Sequence, residues 1–251
     1  MNKKIIKSLG IIFLLFVVFN TVNAQKANEQ KKDTIPFDLR VYENAMLIGD
    51  YDVARTALLY LVTAQPNQIS YLDSLARIYY ATGMYAQALI SSEIYLKKDE
   101  KNVGMMEIST ACYNILGDSK KALSGYEALY TINKRMEYLY QIAVIQYQMK
   151  RLGECEVSVN TILNESKSSE EKISINMAGQ YQEVPVAAAA YNLSGVMNKE
   201  LGKTDKAKSD FENAIKLFPE YVLAQNNLSD LLNPSQDEEE IIEQSPSKKR
   251  K

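Results

Sequence analysis

The chain has 251 residues, 46% hydrophobic and 24% charged, with a formal net charge of -2, the balance of a folded protein rather than a disordered one. It holds no His, no Trp and two Cys against 17 Tyr, which excludes Ser-His-Asp and Cys-His nucleophile pairs, an imidazole base, and zinc held by His or by four Cys. The absence of a basic excess excludes a surface built for non-specific nucleic-acid binding, which works by releasing counterions from phosphates.

Residues 1–24 read as an export signal. Lys3, Lys4 and Lys7 form a basic start, Leu9 to Phe19 an apolar stretch of 11 residues, and Val22-Asn23-Ala24 a small-residue cleavage site. The apolar stretch falls short of the ~20 residues that span a bilayer, and no cysteine follows it to carry a lipid. The expectation is an exported chain, periplasmic or secreted, with no stable membrane anchor after cleavage. Residues 1–24 contain three lysines and no acids, so the remainder carries 26 basic against 31 acidic residues, net -5. Residues 25–36 follow as a flexible linker.

From residue 37 to 163 the text repeats. Gly49, Gly83 and Gly117 are 34 apart, and so are Ala54, Ala88 and Ala122. A fourth copy lies 67 residues beyond the second: Tyr71 to Tyr80 matches Tyr138 to Tyr147, with Cys155 in the place of Ala88. That offset is one short of two periods, so a loop residue has been lost. Within each copy two apolar stripes at i, i+3, i+4, i+7 flank a turn, which predicts a helical hairpin. In the second copy Leu72, Leu75, Ala76 and Tyr79 form one stripe, and Ala88, Leu89, Ser92 and Tyr95 the other. Ala76 and Ala88 are small where two helices approach.

The pattern breaks at residues 164–186. Ile173-Ser-Ile175 and Gln182-Glu-Val184 alternate around Ala178-Gly179, which predicts a short β-hairpin or an irregular insert. It reads as a spacer, with a recognition loop as the alternative. Residues 187–232 hold a fifth copy, where Gly202 and Ala207 are again five apart, and a capping helix from Tyr221 to Leu232. Residues 233–251 read as a disordered charged tail. Its acidic run at Glu238-Glu239-Glu240 lacks the fixed cage a cation needs, and its KKRK ending contradicts export as a nuclear address.

The period resembles the tetratricopeptide repeat. The fifth copy carries the match furthest, with Gly195, Gly202, Ala207, Phe211, Ala214 and Pro219 where the family places small, turn, small, aromatic, small and helix-stop residues. The other copies depart from it. Asp38, Leu72, Met106, Leu139 and Tyr191 stand where the family favours Trp, and Leu61, Tyr95, Leu129 and Ile162 where it favours a small residue. Only Pro66 and Pro219 supply the closing proline. The resemblance implies an all-α fold: a right-handed α-solenoid of about five helix-turn-helix repeats, capped by a C-terminal helix and interrupted by the insert. One hairpin cannot bury its apolar face alone, so neighbours stack into a continuous core.

The resemblance also implies function. The first helices of such hairpins line a concave face, and the register places Asp73, Arg77 and Tyr80 there from copy two. Copy three contributes Glu107, Ala111 and Asn114, copy four Tyr140, Val144 and Tyr147, and copy five Asn192, Val196 and Lys199. Tyrosine and asparagine offer broad contact and adaptable hydrogen bonds, which suits a protein or peptide partner. The family's lysine-and-asparagine clamp for a C-terminal carboxylate is absent, since Leu39, Glu43 and Ser74 occupy its places. Cys112 and Cys155 fall on packing stripes of different hairpins and read as buried free thiols. The sequence therefore predicts a non-catalytic exported scaffold, with no catalytic residue, cofactor or metal and no nucleic-acid partner. The alternative is a structural subunit of a cell-envelope assembly that uses its edges, insert or tail.

Overall fold

The periodic glycines are turn residues. Gly49, Gly83, Gly117 and Gly202 have φ of 76°, 76°, 86° and 70°, a left-handed conformation that an L side chain resists. Each closes the first helix of its hairpin. In the second hairpin Gly83 N–H donates to Tyr80 O at 3.1 Å and Met84 N–H to Tyr79 O at 2.8 Å, the paired bonds that satisfy a helix's last carbonyls. The fourth hairpin repeats the pattern without a glycine. Lys150 takes φ 59°, with Lys150 N–H to Tyr147 O and Arg151 N–H to Gln146 O both at 2.9 Å.

The computed structural model describes residues 36–177 and 179–233. The expected signal, residues 25–35 of the linker and the tail from 234 onward lie outside the described residues. The chain divides into two compact units, with the boundary between Tyr71 and Leu72. The first holds α1 (Phe37–Ile48) and α2 (Tyr51–Ala64). The Asp50 carboxylate accepts from Val53 N–H at 3.1 Å and starts α2, and Ala54, Ala57, Leu58 and Leu61 are its buried stripe.

The second unit begins within α3 (Ser70–Ala81). It continues through α4 (Tyr85–Leu96), α5 (Val103–Ile115), α6 (Ser119–Asn133), α7 (Met136–Gln148), α8 (Leu152–Asn164), α9 (Val186–Glu200), α10 (Thr204–Leu217) and α11 (Val222–Leu232). Helices α4 to α11 pack in sequence, each on the next, with α7 also against α9 and α9 against α11. Such neighbour-only packing is how a solenoid is held together. Asn102 and Asp118 cap α5 and α6 by accepting from Met105 N–H at 3.0 Å and Lys121 N–H at 3.1 Å. Ala88, Ala122, Cys155 and Ala207, the period's small positions, are wholly buried. A continuous core runs from Ala122 to Ala224, and both thiols are buried and unpaired.

The insert is a hairpin. A short 3-10 turn (Ser166–Ser169) leads into β1 (Lys172–Met177), antiparallel to β2 (Gln180–Pro185), with Ile173 opposite Val184. Both side chains are buried in the core, so alternation carries one strand face inward. Glu171 Oε2 accepts from Met136 N–H at 2.7 Å, and Lys167 Nζ donates to Lys134 O at 2.6 Å. The hairpin is thus fastened to the start of α7 as well as leading into α9. All-α repeats, a hairpin insert and a closing helix are the architecture the sequence predicted.

Candidate groove across three hairpins

First helices of three successive hairpins surround a cavity of about 590 Å³, within the range of ligand sites. Helix α3 supplies Arg77 and Tyr80; α5 supplies Glu107, Ile108 and Ala111; the start of α7 supplies Arg135, Glu137, Tyr138 and Gln141. Tyr126 reaches it from α6. Arg77 and Tyr80, Ile108 and Ala111, and Tyr138 and Gln141 are each three residues apart, one turn along a shared face.

Charge in this groove is closely paired. Arg77 Nε and Nη2 donate to the two oxygens of Asp73 at 2.8 and 3.1 Å. That bidentate bond raises the arginine's pKa against the opposing effect of burial. Gly104 leaves room for the guanidinium, since a Cβ there would lie 2.8 Å from Arg77 Nη2. Burial opposes the charge on Arg135, but Glu137, Tyr138 and Glu107 outweigh it and raise its pKa. Arg135 pairs with Glu107 at 3.4 Å and with Glu137, and lies over the Tyr138 ring at 5.1 Å. The Tyr138 hydroxyl donates to Glu107; burial and that bond raise its pKa.

The neutral polar groups are left open. Tyr126 packs on Tyr138 with centroids 6.3 Å apart, and burial pushes its hydroxyl well above the usual tyrosine range. Tyr80 meets Tyr85 edge-on at 5.6 Å, with its pKa raised by burial and then by neighbouring thiol and phenol groups, Tyr181 among them. Among the described residues, the hydroxyls of Tyr80 and Tyr126 and the Gln141 carboxamide carry no hydrogen bond.

Of the twelve residues the register places on the concave face, Arg77, Tyr80, Glu107 and Ala111 line the cavity and Asp73 holds Arg77 in place. The others are elsewhere. Asn114 is half-buried outside the lining. Tyr140 is half-buried against the core, and burial lifts its hydroxyl to about 12. Tyr147 lies under Lys150, whose Nζ is 5.2 Å from the ring; burial and a bond to Glu200 push it up to about 12. Asn192 is 4% exposed and accepts from Asn227 Nδ2 of α11 at 2.8 Å, so the closing helix covers a place expected to be open. Lys199 is exposed, apart from the cavity. Register reasoning missed Arg135, Glu137, Tyr138 and Gln141, which sit a turn earlier on α7 than the positions it projected. It also missed Tyr126, which is on a second helix. The charged pair Arg135 and Glu137 beside the Tyr138 landmark was the available signal.

Among the described residues no group of three or more His, Cys, Asp or Glu is placed to hold a metal ion. No described helix is long and apolar enough to cross a membrane.

Residues 188–221 match the tetratricopeptide repeat family; this stretch is the fifth hairpin. No curated protein matches the sequence. Solved structures match the fold. A tetratricopeptide repeat protein from Parabacteroides merdae is similar at TM-score 0.61 and 21% identity, over 77% of this chain and 70% of that one. YrrB, described as a TPR protein with an unusual peptide-binding site, is similar at 0.60 and 16% identity, over 80% and 95%. MamA is similar at 0.57 and 16%, over 70% and 94%. The tetratricopeptide repeat is thus present in sequence over residues 188–221, and the fold is similar to solved tetratricopeptide-repeat proteins across most of the chain's length.

Proposed function

We propose that this protein is an exported, non-catalytic scaffold that binds a segment of a partner protein in the groove between α3, α5 and α7. The tetratricopeptide-repeat fold itself points to protein–protein interaction. The observation that carries the finer reading is the cavity of about 590 Å³ whose walls come from three successive first helices. A groove that crosses repeats suits an extended chain, which lies along a row of equivalent positions. YrrB, of the same fold, is described by its peptide-binding site. Catalysis is not assigned to the cavity, because Glu107 already accepts bonds from Tyr138 and Arg135, and Glu137 from Arg135.

Capture from a cell-envelope extract on immobilised protein, residues 25–251, tests this. A partner retained by the parent chain and lost by the combined Arg77→Ala, Tyr80→Ala, Glu107→Ala variant supports the groove. Undiminished capture by that variant sinks it. Export rests on the leader residues and has its own test. Fusing residues 1–24 to a reporter active only outside the cytoplasm gives signal if the leader works, and none if it does not.

A further inference from the structure

The groove's chemistry points to a narrower ligand class than protein in general, an inference that rests on the peptide-binding reading above. Its five charges are Arg77 and Arg135 against Asp73, Glu107 and Glu137, a net -1, and each is engaged with another. A carboxylate or phosphate entering here must displace Asp73 from a bidentate bond and then face that excess of acid. A lysine or arginine must take Glu107 from Tyr138 and Arg135, leaving the hydroxyl of the buried Tyr138 without its acceptor. Either exchange trades one satisfied ion pair for another.

The groups without partners are different in kind. Tyr80 and Tyr126 present hydroxyls that donate or accept, and Gln141 presents one acceptor and two donors. These are the functions that match an uncharged peptide backbone or a Ser, Asn or Gln side chain. Between them Ile108 and Ala111 line the cavity with apolar surface.

We propose that the groove takes an uncharged, internal peptide segment. An aliphatic or aromatic side chain enters against Ile108 and Tyr126, and Gln141 and the tyrosine hydroxyls bond the backbone.

The test uses residues 25–251 and an array of peptides of about ten residues, acetylated and amidated, in neutral, acidic and basic sets sharing the same apolar residues. A fourth set has free carboxylate ends. The proposal expects the neutral capped set to bind, with affinity changing less than about twofold between roughly 50 and 300 mM NaCl, because no charge pair forms for salt to screen. Tyr126→Phe and Gln141→Leu should each weaken binding by about fivefold, as loss of one hydrogen bond does, while thermal stability is retained. Preference for acidic, basic or free-carboxylate peptides, still weakened by Tyr126→Phe, overturns the neutral ligand but leaves the peptide groove standing. Neutral peptides whose binding neither substitution weakens overturn the placement. Binding of no peptide in any set overturns both readings.

Discussion

The first and fifth hairpins share one module and differ in how much of it is covered. In α1 only Ala45 is buried, while Phe37, Leu47 and Ile48 are 70%, 84% and 78% exposed. In α9 eleven residues are buried. Helix α9 packs on α7, α8, α10, α11 and β2, so no apolar face is left to water. The difference teaches that a hairpin's own pattern supplies one contact surface, between its two helices, and that burial beyond it is set by neighbours. The fifth hairpin is also the stretch that matches the family by sequence.

The largest effects should therefore come from the seam inside the fifth hairpin. A Cβ at Gly195 would stand 2.4 Å from the Phe211 ring, and Phe211 is wholly buried. Phe211→Ala should cost about 3–5 kcal/mol from lost transfer energy plus a cavity. Gly195→Leu should be at least as damaging, since helix backbone and ring have nowhere to go. Urea unfolding followed by circular dichroism measures both. A shift in midpoint no larger than a surface substitution gives would show that the seam is not what holds this hairpin. Next comes the polar contact beside it. Asp210 accepts from Ser194 Oγ at 2.7 Å and Asn198 Nδ2 at 2.8 Å in a buried setting. Asp210→Ala should cost about 2 kcal/mol by stranding those donors, and Ser194→Ala less.

Much of this was legible in the sequence, for local reasons. A glycine at φ near 76° and an alanine where two helices touch are demands the backbone makes at one position, so they recur and show as a period. The fourth turn was hidden because Lys150 meets the same demand with a side chain, and only the offset of 67 located its copy. The groove was half legible. Arg77, Tyr80 and Glu107 follow from the register, but Tyr147 and Asn192 are equivalent places closed by Lys150 and by Asn227. Which inner-helix positions remain open depends on contacts from other elements, and those are invisible to a register. Tyr126 belongs to a second helix, the one a repeat pattern assigns to packing.

A comparison of pH behaviour separates the middle hairpins from the first. Burial pushes Cys112 and Cys155 up from 9.0 to about 11, whereas the first hairpin has no cysteine. The folded state keeps these protons when the unfolded chain has lost them, so the stabilisation is complete below pH 9.0 and disappears as pH rises to about 11. Stability should fall over that interval, and Cys112→Ala with Cys155→Ala should flatten the fall. An unchanged alkaline slope in the double variant, measured by urea midpoints, would contradict it. Lys150 gives a smaller, opposite effect. Lys150→Gly relieves a left-handed residue worth about 1 kcal/mol, and its pair with Glu200 is too exposed to offset that. Gly202→Lys at the matching turn should lose a similar amount.

The smallest effect tests the other side of the comparison. Leu47 and Ile48 end α1 with little of their surface covered, so replacing them with lysine removes almost no buried area and should move stability by less than about 0.5 kcal/mol. Two apolar residues side by side at that exposure are costly in solubility rather than in folding. The double variant should keep its urea midpoint and stay dispersed at higher concentration, which light scattering reads. If the midpoint instead drops by the amount a core leucine carries, then the first hairpin's exposed face is covered in solution. The contrast with the fifth hairpin would then be one of which neighbour does the covering, and not of whether one exists.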